Sequence, residues 1–154
     1  MPTIAKSINV NVPVRPVHDQ WTQFEEFPRF MEGIDEIQQM GDRHLHWKAS
    51  IGGKTEEWNA EIAEQIPDKR IAWRNTTGAE NCGVVTFHYI SPEETRVTLQ
   101  LDYDPSGIVE TVGDKLGFMN RRVSGDLERF KQFIEARGVA TGAWRGEIRK
   151  DEAG

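Results

Sequence analysis

Two histidines have a spacing that could support metal chemistry. His44 and His46 lie two residues apart, and on a strand that spacing places both imidazoles on one face, where they could chelate a cation. Metal sites usually need three or four ligands, and neither a cysteine nor a third histidine is near in the sequence. His18 and His88 have no recognisable partner. We interpret the pair as part of a solvated strand face and predict no metal and no cofactor.

Cys82 is the single thiol that could act as a nucleophile. A catalytic thiol needs a base or an acidic partner, and no motif ties such a group to Cys82. A small residue that is buried or lies at a loop edge is the simpler interpretation. One cysteine also excludes an intrachain disulfide and a cysteine-built metal site.

Three tryptophans, Trp47, Trp58 and Trp73, alternate with polar residues and so fall on predicted inward strand faces. Buried aromatic side chains supply much of the apolar area of any core, so core filling is the first interpretation. The second is a flat aromatic wall for a planar or ring-containing ligand, because ligand pockets are lined mostly by apolar groups. The sequence leaves both interpretations open.

Period-two alternation predicts seven strands that would position these side chains. The first strand contains Ile4, Ile8, Val10 and Val12. Two short helical pieces follow it, one after Pro16 and one opened by Pro28 that includes Phe30 and Met31. The other strands are predicted at residues 34–40, 44–51 and 54–66, around 71–73, around 83–87, and at 97–103. Gly52 and Gly53 form a predicted hairpin turn, because glycine accepts the positive φ that such turns require.

The last third of the chain carries an apolar stripe with steps of three and four residues, typical of one long amphipathic helix. The stripe consists of Val109, Val112, Leu116, Met119, Val123, Leu127, Phe130 and Ile134. We predict a helix from about Ile108 to Arg137 that packs on the concave face of an antiparallel sheet. A sheet curled around a helix tends to leave a cavity, which suggests a container for an apolar small molecule.

Three segments give the chain a resemblance to a known family. They are residues 21–31 (WTQFEEFPRFM), His46-Trp47 through Gly52-Gly53, and residues 125–131 (GDLERFK). The chain resembles the polyketide cyclase/dehydrase and lipid-transport superfamily (SRPBCC), in particular its bacterial cyclase/dehydrase-like branch. The resemblance implies an α+β helix-grip (START-like) fold, a seven-stranded curved antiparallel sheet wrapped around a long C-terminal helix. It covers about residues 3–138, so we expect a ligand-binding domain at 1–138 and a C-terminal tail at 139–154, in which Trp144 could dock on the body.

The superfamily holds carriers, receptors and enzymes, so function must be argued from the site. The candidate ligand-binding residues are Trp47, Ala49, Trp58, Ala60, Ile62, Trp73, Val85, Phe87, Leu99, Leu101, Tyr103, Phe30, Met31, Val112, Leu116 and Met119. Among the predicted inward strand residues Tyr103 alone has a polar group, whereas an aldol cyclisation or dehydration needs a positioned acid or base. We therefore predict no catalytic residue, although a one-residue register shift would turn Asn59, Glu61 and Arg74 inward.

Composition narrows the function classes further. The chain has 154 residues and a net charge of −6, and its basic residues form no dense patch, so nucleic acid is not an expected partner. No apolar run is long enough for a signal peptide or a transmembrane segment, and we expect a cytoplasmic protein. The preferred hypothesis is a binding protein for an apolar small molecule. The alternatives are a cyclase or dehydrase acting on a polyketide-like aromatic precursor, and a scaffold protein whose cavity has collapsed.

Overall fold

A computed structural model describes residues 3–31, 34–41, 43–51, 54–77, 81–103, 115–146 and 148. The strands are β1 (Thr3–Val10), β2 (Ile34–Gln39), β3 (His44–Ile51), β4 (Lys54–Ile66), β5 (Arg70–Asn75), β6 (Asn81–Ser91) and β7 (Glu94–Tyr103). Helix α1 (Val14–Trp21) and a 3₁₀ helix (Phe24–Arg29) separate β1 from β2, and helix α2 (Lys115–Arg137) follows β7. The predicted Gly52-Gly53 turn and the predicted helical residues 108–114 lie outside the described part.

The seven strands form one antiparallel sheet in the order β1-β7-β6-β5-β4-β3-β2. Consecutive strands from β2 to β7 are neighbours, whereas β1 pairs with β7, so the two edges are β1 and β2. The sheet is curled into a half-barrel and α2 packs against it, which confirms the predicted α+β helix-grip fold.

Helix α2 is held by its apolar stripe and by polar contacts to β1. Val123 and Leu127 are each 2% exposed, and Phe130 and Ile134 are fully buried, which confirms this half of the stripe. Beside the stripe, the Lys131 ammonium donates to the Asn9 carbonyl at 3.1 Å. Such contacts fix the helix along one side of the sheet. Leu116 and Met119 lie within α2, but their side chains are outside the described part, as is Val112 altogether.

The 3₁₀ helix corrects one prediction, because it begins at Phe24 and contains Pro28 near its end rather than at its start. Phe24 and Phe27, three residues apart, hold the 3₁₀ helix against the core, because both side chains are buried. Pro28 has no N–H to donate back to the preceding turn, and the helix ends one residue later, at Arg29. The two rings anchor an aromatic cluster that also includes Trp21, Phe30 and Phe130.

The chain after α2 returns to the body of the protein. Ile148 is 3% exposed and forms an antiparallel bridge with Gln65, with N···O distances of 2.7 and 2.9 Å. A register shift between Ile62 and Glu64 in β4 precedes this bridge. Trp144 packs against the core, as anticipated for a tail that docks, although the division into 1–138 and 139–154 stays a prediction. Neither α1 nor α2 combines the length and the apolar character that a membrane crossing would require.

Candidate functional site

The concave face of the sheet carries the apolar side chains that alternation predicted to point inward. Those that are buried are Trp47, Ala49, Ala60, Ile62, Val85, Phe87 and Leu99. The three polar residues that a register shift would have turned inward point the other way. Of these, Arg74 donates from Nε to Glu61 Oε1 at 2.6 Å on the convex side. The strand register therefore agrees with the prediction, while the role of these residues in ligand binding stays a proposal.

Three inward side chains, Trp58, Trp73 and Leu101, are only half-buried, and we call them the half-buried apolar patch. The residues paired with the two tryptophans are more deeply buried than the tryptophans themselves. Trp47, which pairs with Trp58, is 7% exposed, and Ile62, which pairs with Trp73, is 1% exposed. The protein thus covers one part of the concave face fully and leaves another part incompletely covered. Apolar surface of this kind, set in a concave wall, is where an apolar ligand could gain contact area.

Trp47 and Trp58 form a parallel stack, with ring centroids 6.0 Å apart and 10° between the ring planes. The stack is anchored on its inner side, because Trp47 also meets the edge of Phe27 at 6.0 Å. The Trp47 indole nitrogen Nε1 is buried and meets no hydrogen-bond partner among the described residues. The pair therefore presents a rigid aromatic surface, half-buried at Trp58, which supports the second interpretation of the tryptophans without excluding the first.

Gly83 determines how closely Trp73 can lie on the sheet. It pairs with Trp73 on β5 and with Leu101 on β7, so the three residues form one row across the concave face. A Cβ at position 83 would lie 2.6 Å from the Trp73 ring and 2.8 Å from Leu101 Cδ2, closer than real Cβ contacts allow. The missing side chain is therefore what lets both members of the patch occupy their positions.

Polar side chains also share the concave face, which the sequence patterns did not reveal. Each is paired directly with a buried apolar residue: Lys6 with Leu99, Glu56 with Ala49, and Asn75 with Ala60. Paired residues of antiparallel strands point to the same side of the sheet. The expectation that Tyr103 alone brings a polar group to this face is therefore wrong. Alternation of apolar residues does not indicate these three positions, because they lie between or beyond the apolar runs.

The remaining predicted site residues fall into two groups. Phe30 and Met31 are buried, and the Phe30 ring lies 5.2 Å from the Phe130 ring, inside the aromatic cluster. The side chains of Tyr103, Leu116 and Met119 lie outside the described part, together with residue Val112. The site residues brought together on the concave face are therefore those of β3 to β7.

His44 and His46, the pair with a spacing that could chelate a metal, lie on the convex face. His46 Nδ1 lies 2.7 Å from Asn59 Oδ1, and its Nε2 lies 3.0 Å from Glu57 Oε1. The hydrogen bonds to Asn59 and Glu57 raise the pKa of His46 above its ordinary value. Both ring nitrogens are thus engaged, whereas His44 is exposed. The arrangement fits a solvated strand face.

A buried charged cluster surrounds His18, for which the sequence offered no partner. His18 is fully buried, and its Nδ1 lies 3.2 Å from Asp19 Oδ1 and 3.9 Å from Asp68 Oδ1. Arg145 donates to both carboxylates, at 2.5 Å to Asp19 and 2.7 Å to Asp68. Burial lowers the pKa of His18, against the opposing effect of its hydrogen bond to Asp19. Asp19 is adjacent to His18 on α1, but Asp68 comes from the β4–β5 turn and Arg145 from the C-terminal segment, so no local motif could have indicated these two.

The side chains of this cluster could also bind a metal ion, because ligand atoms of His18, Asp19 and Asp68 lie within 4.8 Å of one another. Arg145, however, already supplies a positive charge to both carboxylates, and a cation would have to compete with it. The ion pairs with Asp68 and Asp19 also raise the pKa of Arg145, so the guanidinium stays charged. We interpret the cluster as the attachment point of the C-terminal segment.

Further hydrogen bonds attach the same segment, residues 141–146 and 148, which we call the C-terminal strap. The Thr141 N–H donates to Gln20 Oε1 at 2.9 Å, and the Trp144 N–H donates to Thr22 Oγ1 at 3.1 Å. From β4, the fully buried Gln65 donates its Nε2 to the Trp144 carbonyl at 2.9 Å. The strap therefore joins α1 to the end of β4 through buried polar groups.

Known proteins resemble this chain in sequence and in fold. An uncharacterised 17.2 kDa protein from the melC2-rnhH intergenic region of Streptomyces lincolnensis is 52% identical over 149 residues, covering 96% of this chain and 99% of the relative. The Zhui aromatase/cyclase from Streptomyces sp. R1128 superposes with a TM-score of 0.73 at 14% identity, covering 93% of this chain and 99% of the other. A START superfamily protein from Mycobacterium smegmatis gives a TM-score of 0.68 at 13% identity, covering 88% and 95%. At these identities the two solved structures show the shared fold alone.

The family itself is shown by a sequence model. The model described as polyketide cyclase / dehydrase and lipid transport matches residues 10–132, from the end of β1 into the last part of α2. The match includes the strands that carry the half-buried apolar patch. It also includes the residues of the aromatic cluster. This chain therefore belongs to the polyketide cyclase/dehydrase and lipid transport family.

Proposed function

We propose that this chain binds an apolar small molecule, ring-containing or lipid-like, between the concave face of the sheet and the C-terminal helix. The half-buried apolar patch carries the proposal, because Trp58, Trp73 and Leu101 point to the inside of the curled sheet and are still incompletely covered. A ligand that covered them would gain roughly 25 cal/mol for each Å² of apolar surface removed from water. In this proposal Tyr103, Val112, Leu116 and Met119 complete the wall.

Binding of a neutral, environment-sensitive dye such as Nile red tests the proposal. We expect saturable binding near one dye per chain, and about fivefold weaker affinity in Trp58→Leu and Trp73→Leu, since an aromatic contact contributes about 1 kcal/mol beyond its area. Trp144→Leu is the matched control, because Trp144 is also half-buried but lies in the C-terminal strap. Absence of saturable binding, or equal losses in all three variants, would argue against a site on the concave face.

A second candidate function is the cyclisation and dehydration of a polyketide-like precursor, and the polar groups of the concave face favour it. Glu56 could take a proton from a carbon between two carbonyls, and the Asn75 amide could donate a hydrogen bond to the carbonyl that is attacked. A carbon–carbon bond then forms as the attacked carbonyl opens to an alkoxide, which takes the proton back from Glu56. The resulting hydroxyl leaves as water together with a proton from the neighbouring carbon. These residues lie on the same face as Trp58 and Trp73, where an aromatic product could stack.

A linear tetraketone, which cyclises by an intramolecular aldol addition and loses water, distinguishes the two functions. An enzyme should accelerate ring formation, and Glu56→Gln should remove the acceleration by a factor of about 10²–10⁴ while Nile red still binds. Equal rates with and without the protein would leave binding as the supported function.

We also propose that the protein acts in the cytoplasm and on a small molecule rather than on nucleic acid. A net charge of −6 with scattered basic residues supports the second point, because binding to a polyanion needs a concentrated positive surface. Cell fractionation tests the location, and the protein should be recovered with cytoplasmic markers.

A further inference from the structure

Lys6 is a charged residue on the inner face of β1. It pairs with Leu99, which is 4% exposed, and it lies between Ile4 and Ile8 on the same face, whereas Ala5 and Ser7 on the other face are exposed. Its side chain is half-buried among these apolar neighbours.

The Lys6 ammonium has no hydrogen-bond or ion-pair partner within the described residues. Glu135 of α2 lies against the residue that follows β1, and it is already bound by the Lys131 ammonium at 2.7 Å and by the Asn11 N–H at 2.7 Å. A partly desolvated ammonium without a counter-ion attracts an anion more strongly than one in open water does.

Lys6 is also within reach of the half-buried apolar patch. Ile4, two residues before it, pairs with Leu101, so Lys6 and Leu101 are diagonal neighbours at roughly 7–8 Å. The four-carbon stem of lysine can lie along apolar surface while its ammonium reaches a polar group of a bound molecule. A ligand covering Leu101 would therefore lie beside a positive charge.

We propose that Lys6 pairs with an acidic group of the ligand, so that the preferred ligand of the concave face is an amphipathic organic anion, such as an aromatic or aliphatic carboxylate, rather than a neutral molecule. This inference rests on the proposed binding function and adds the charge of the ligand to it. A different role for Lys6 is protective, because β1 is an edge strand and inward-pointing charges discourage pairing between sheet edges. The two roles predict different behaviour when the charge is removed.

Competition against Nile red with a matched pair of probes, 2-naphthoate and its neutral methyl ester, separates them. At low ionic strength the native protein should bind the naphthoate about tenfold more tightly than the ester, because one charge-assisted contact contributes about that factor to the affinity. The preference should disappear in Lys6→Gln, persist in Lys6→Arg, and weaken as salt is added. Lys48→Gln is the control, because Lys48 is exposed on the convex face and its removal changes the net charge equally.

Each outcome has a defined meaning. Equal affinity of the native protein for the two probes, or a preference that survives in Lys6→Gln, overturns the assignment to Lys6 while Nile red binding still supports the site itself. Self-association of Lys6→Gln with an unchanged preference assigns the residue to edge protection instead. Failure of Nile red to bind the native protein overturns the binding function and, with it, this inference.

Discussion

At the scale of single residues, Gly83 is the position where the smallest substitution has a predictable cost. A methyl group there would lie 2.6 Å from the Trp73 ring. We expect Gly83→Ala to destabilise the protein by about 1–3 kcal/mol, because the ring or the strand must shift to make room. Denaturant titration measures this cost, and tryptophan fluorescence should report the displaced ring.

Gly125→Ala provides the matched control for that substitution. The nearest group to its added Cβ is the Arg129 guanidinium, at 3.0 Å, which ends a long side chain hydrogen-bonded to Phe30 and Asp126, and alanine favours the interior of α2 by about 1 kcal/mol over glycine. This variant should be at least as stable as the native protein. If both alanine variants were equally stable, the close approach of Trp73 to β6 would be disproved.

His18 predicts a pH dependence with a definite sign. Burial lowers its pKa below the ordinary value of 6.5, although the Asp19 hydrogen bond and the charges of Asp19 and Asp68 oppose the shift. At pH values between 6.5 and the lower pKa of the folded state, the unfolded chain binds more protons than the folded chain. The free energy of unfolding should therefore be fully maintained above about 6.5 and should fall as the pH falls below that value. Urea titrations at pH 7.5 and 5.5 measure the change.

His18→Gln removes the titrating group and should flatten that pH dependence. His46→Gln is the informative comparison, because the pKa of His46 is raised, so its contribution is present below 6.5 and is lost as the pH rises through the folded pKa. His46→Gln should therefore leave the loss of unfolding free energy at low pH in place. Identical pH dependence in the native protein and His18→Gln would contradict the buried neutral state of His18.

At the scale of elements, the stripe of α2 supports the most direct stability prediction. Leu127 is 2% exposed and Phe130 is fully buried, so Leu127→Ala and Phe130→Ala should each lower the free energy of unfolding by roughly 2–5 kcal/mol. Glu128, between them in sequence, is exposed, and Glu128→Ala should change stability by less than about 0.5 kcal/mol. Losses under about 1 kcal/mol for both apolar variants would mean that the stripe does not face the sheet.

Much of this architecture could be predicted because each element has a local signature. Alternation placed Trp47, Ala60 and Val85 on one side of their strands, and helical spacing placed Phe130 in the core. Local patterns could not show that β4 changes register between Ile62 and Glu64, because such an irregularity is set by the pairing with β5.

The candidate site was less predictable than the fold, since its polar groups follow from pairing rather than from composition. Lys6 interrupts the apolar alternation of β1, and its inward direction is evident only from its pairing with Leu99. Among the charged groups around His18, Asp19 is its neighbour in sequence, whereas Asp68 and Arg145 are distant in sequence and meet only when the C-terminal strap has docked.

At the scale of the whole molecule, Arg145 links the C-terminal strap to two parts of the body. Arg145→Ala would leave the Asp19 and Asp68 carboxylates without their cation, and Asp19 is nearly buried. We expect a loss of about 1–3 kcal/mol, below the value for a fully buried pair because the Arg145 side chain is 26% exposed. Arg74→Ala, which removes an ion pair to Glu61 at a more exposed guanidinium, should cost no more than about 1 kcal/mol.

Hydrogen exchange locates the effect of the Arg145 substitution. The Gln65 and Ile148 amides, which bond across the bridge at 2.7 and 2.9 Å, should exchange faster in Arg145→Ala, while the amides of β6 and β7 stay protected. Uniformly faster exchange throughout the sheet would show that the strap is not a separate element but part of one cooperative unit.

The central claim, an apolar ligand site on the concave face, is tested most directly by following the indole N–H signals of the five tryptophans by NMR during titration with Nile red. We expect saturable shifts of the Trp58 and Trp73 signals, with a smaller shift of the Trp47 signal, because Trp47 stacks on Trp58. Trp21, which lies in the aromatic cluster, and Trp144, in the C-terminal strap, should stay unchanged. Unchanged Trp58 and Trp73 signals at saturating dye, or shifts confined to Trp21 and Trp144, would contradict it.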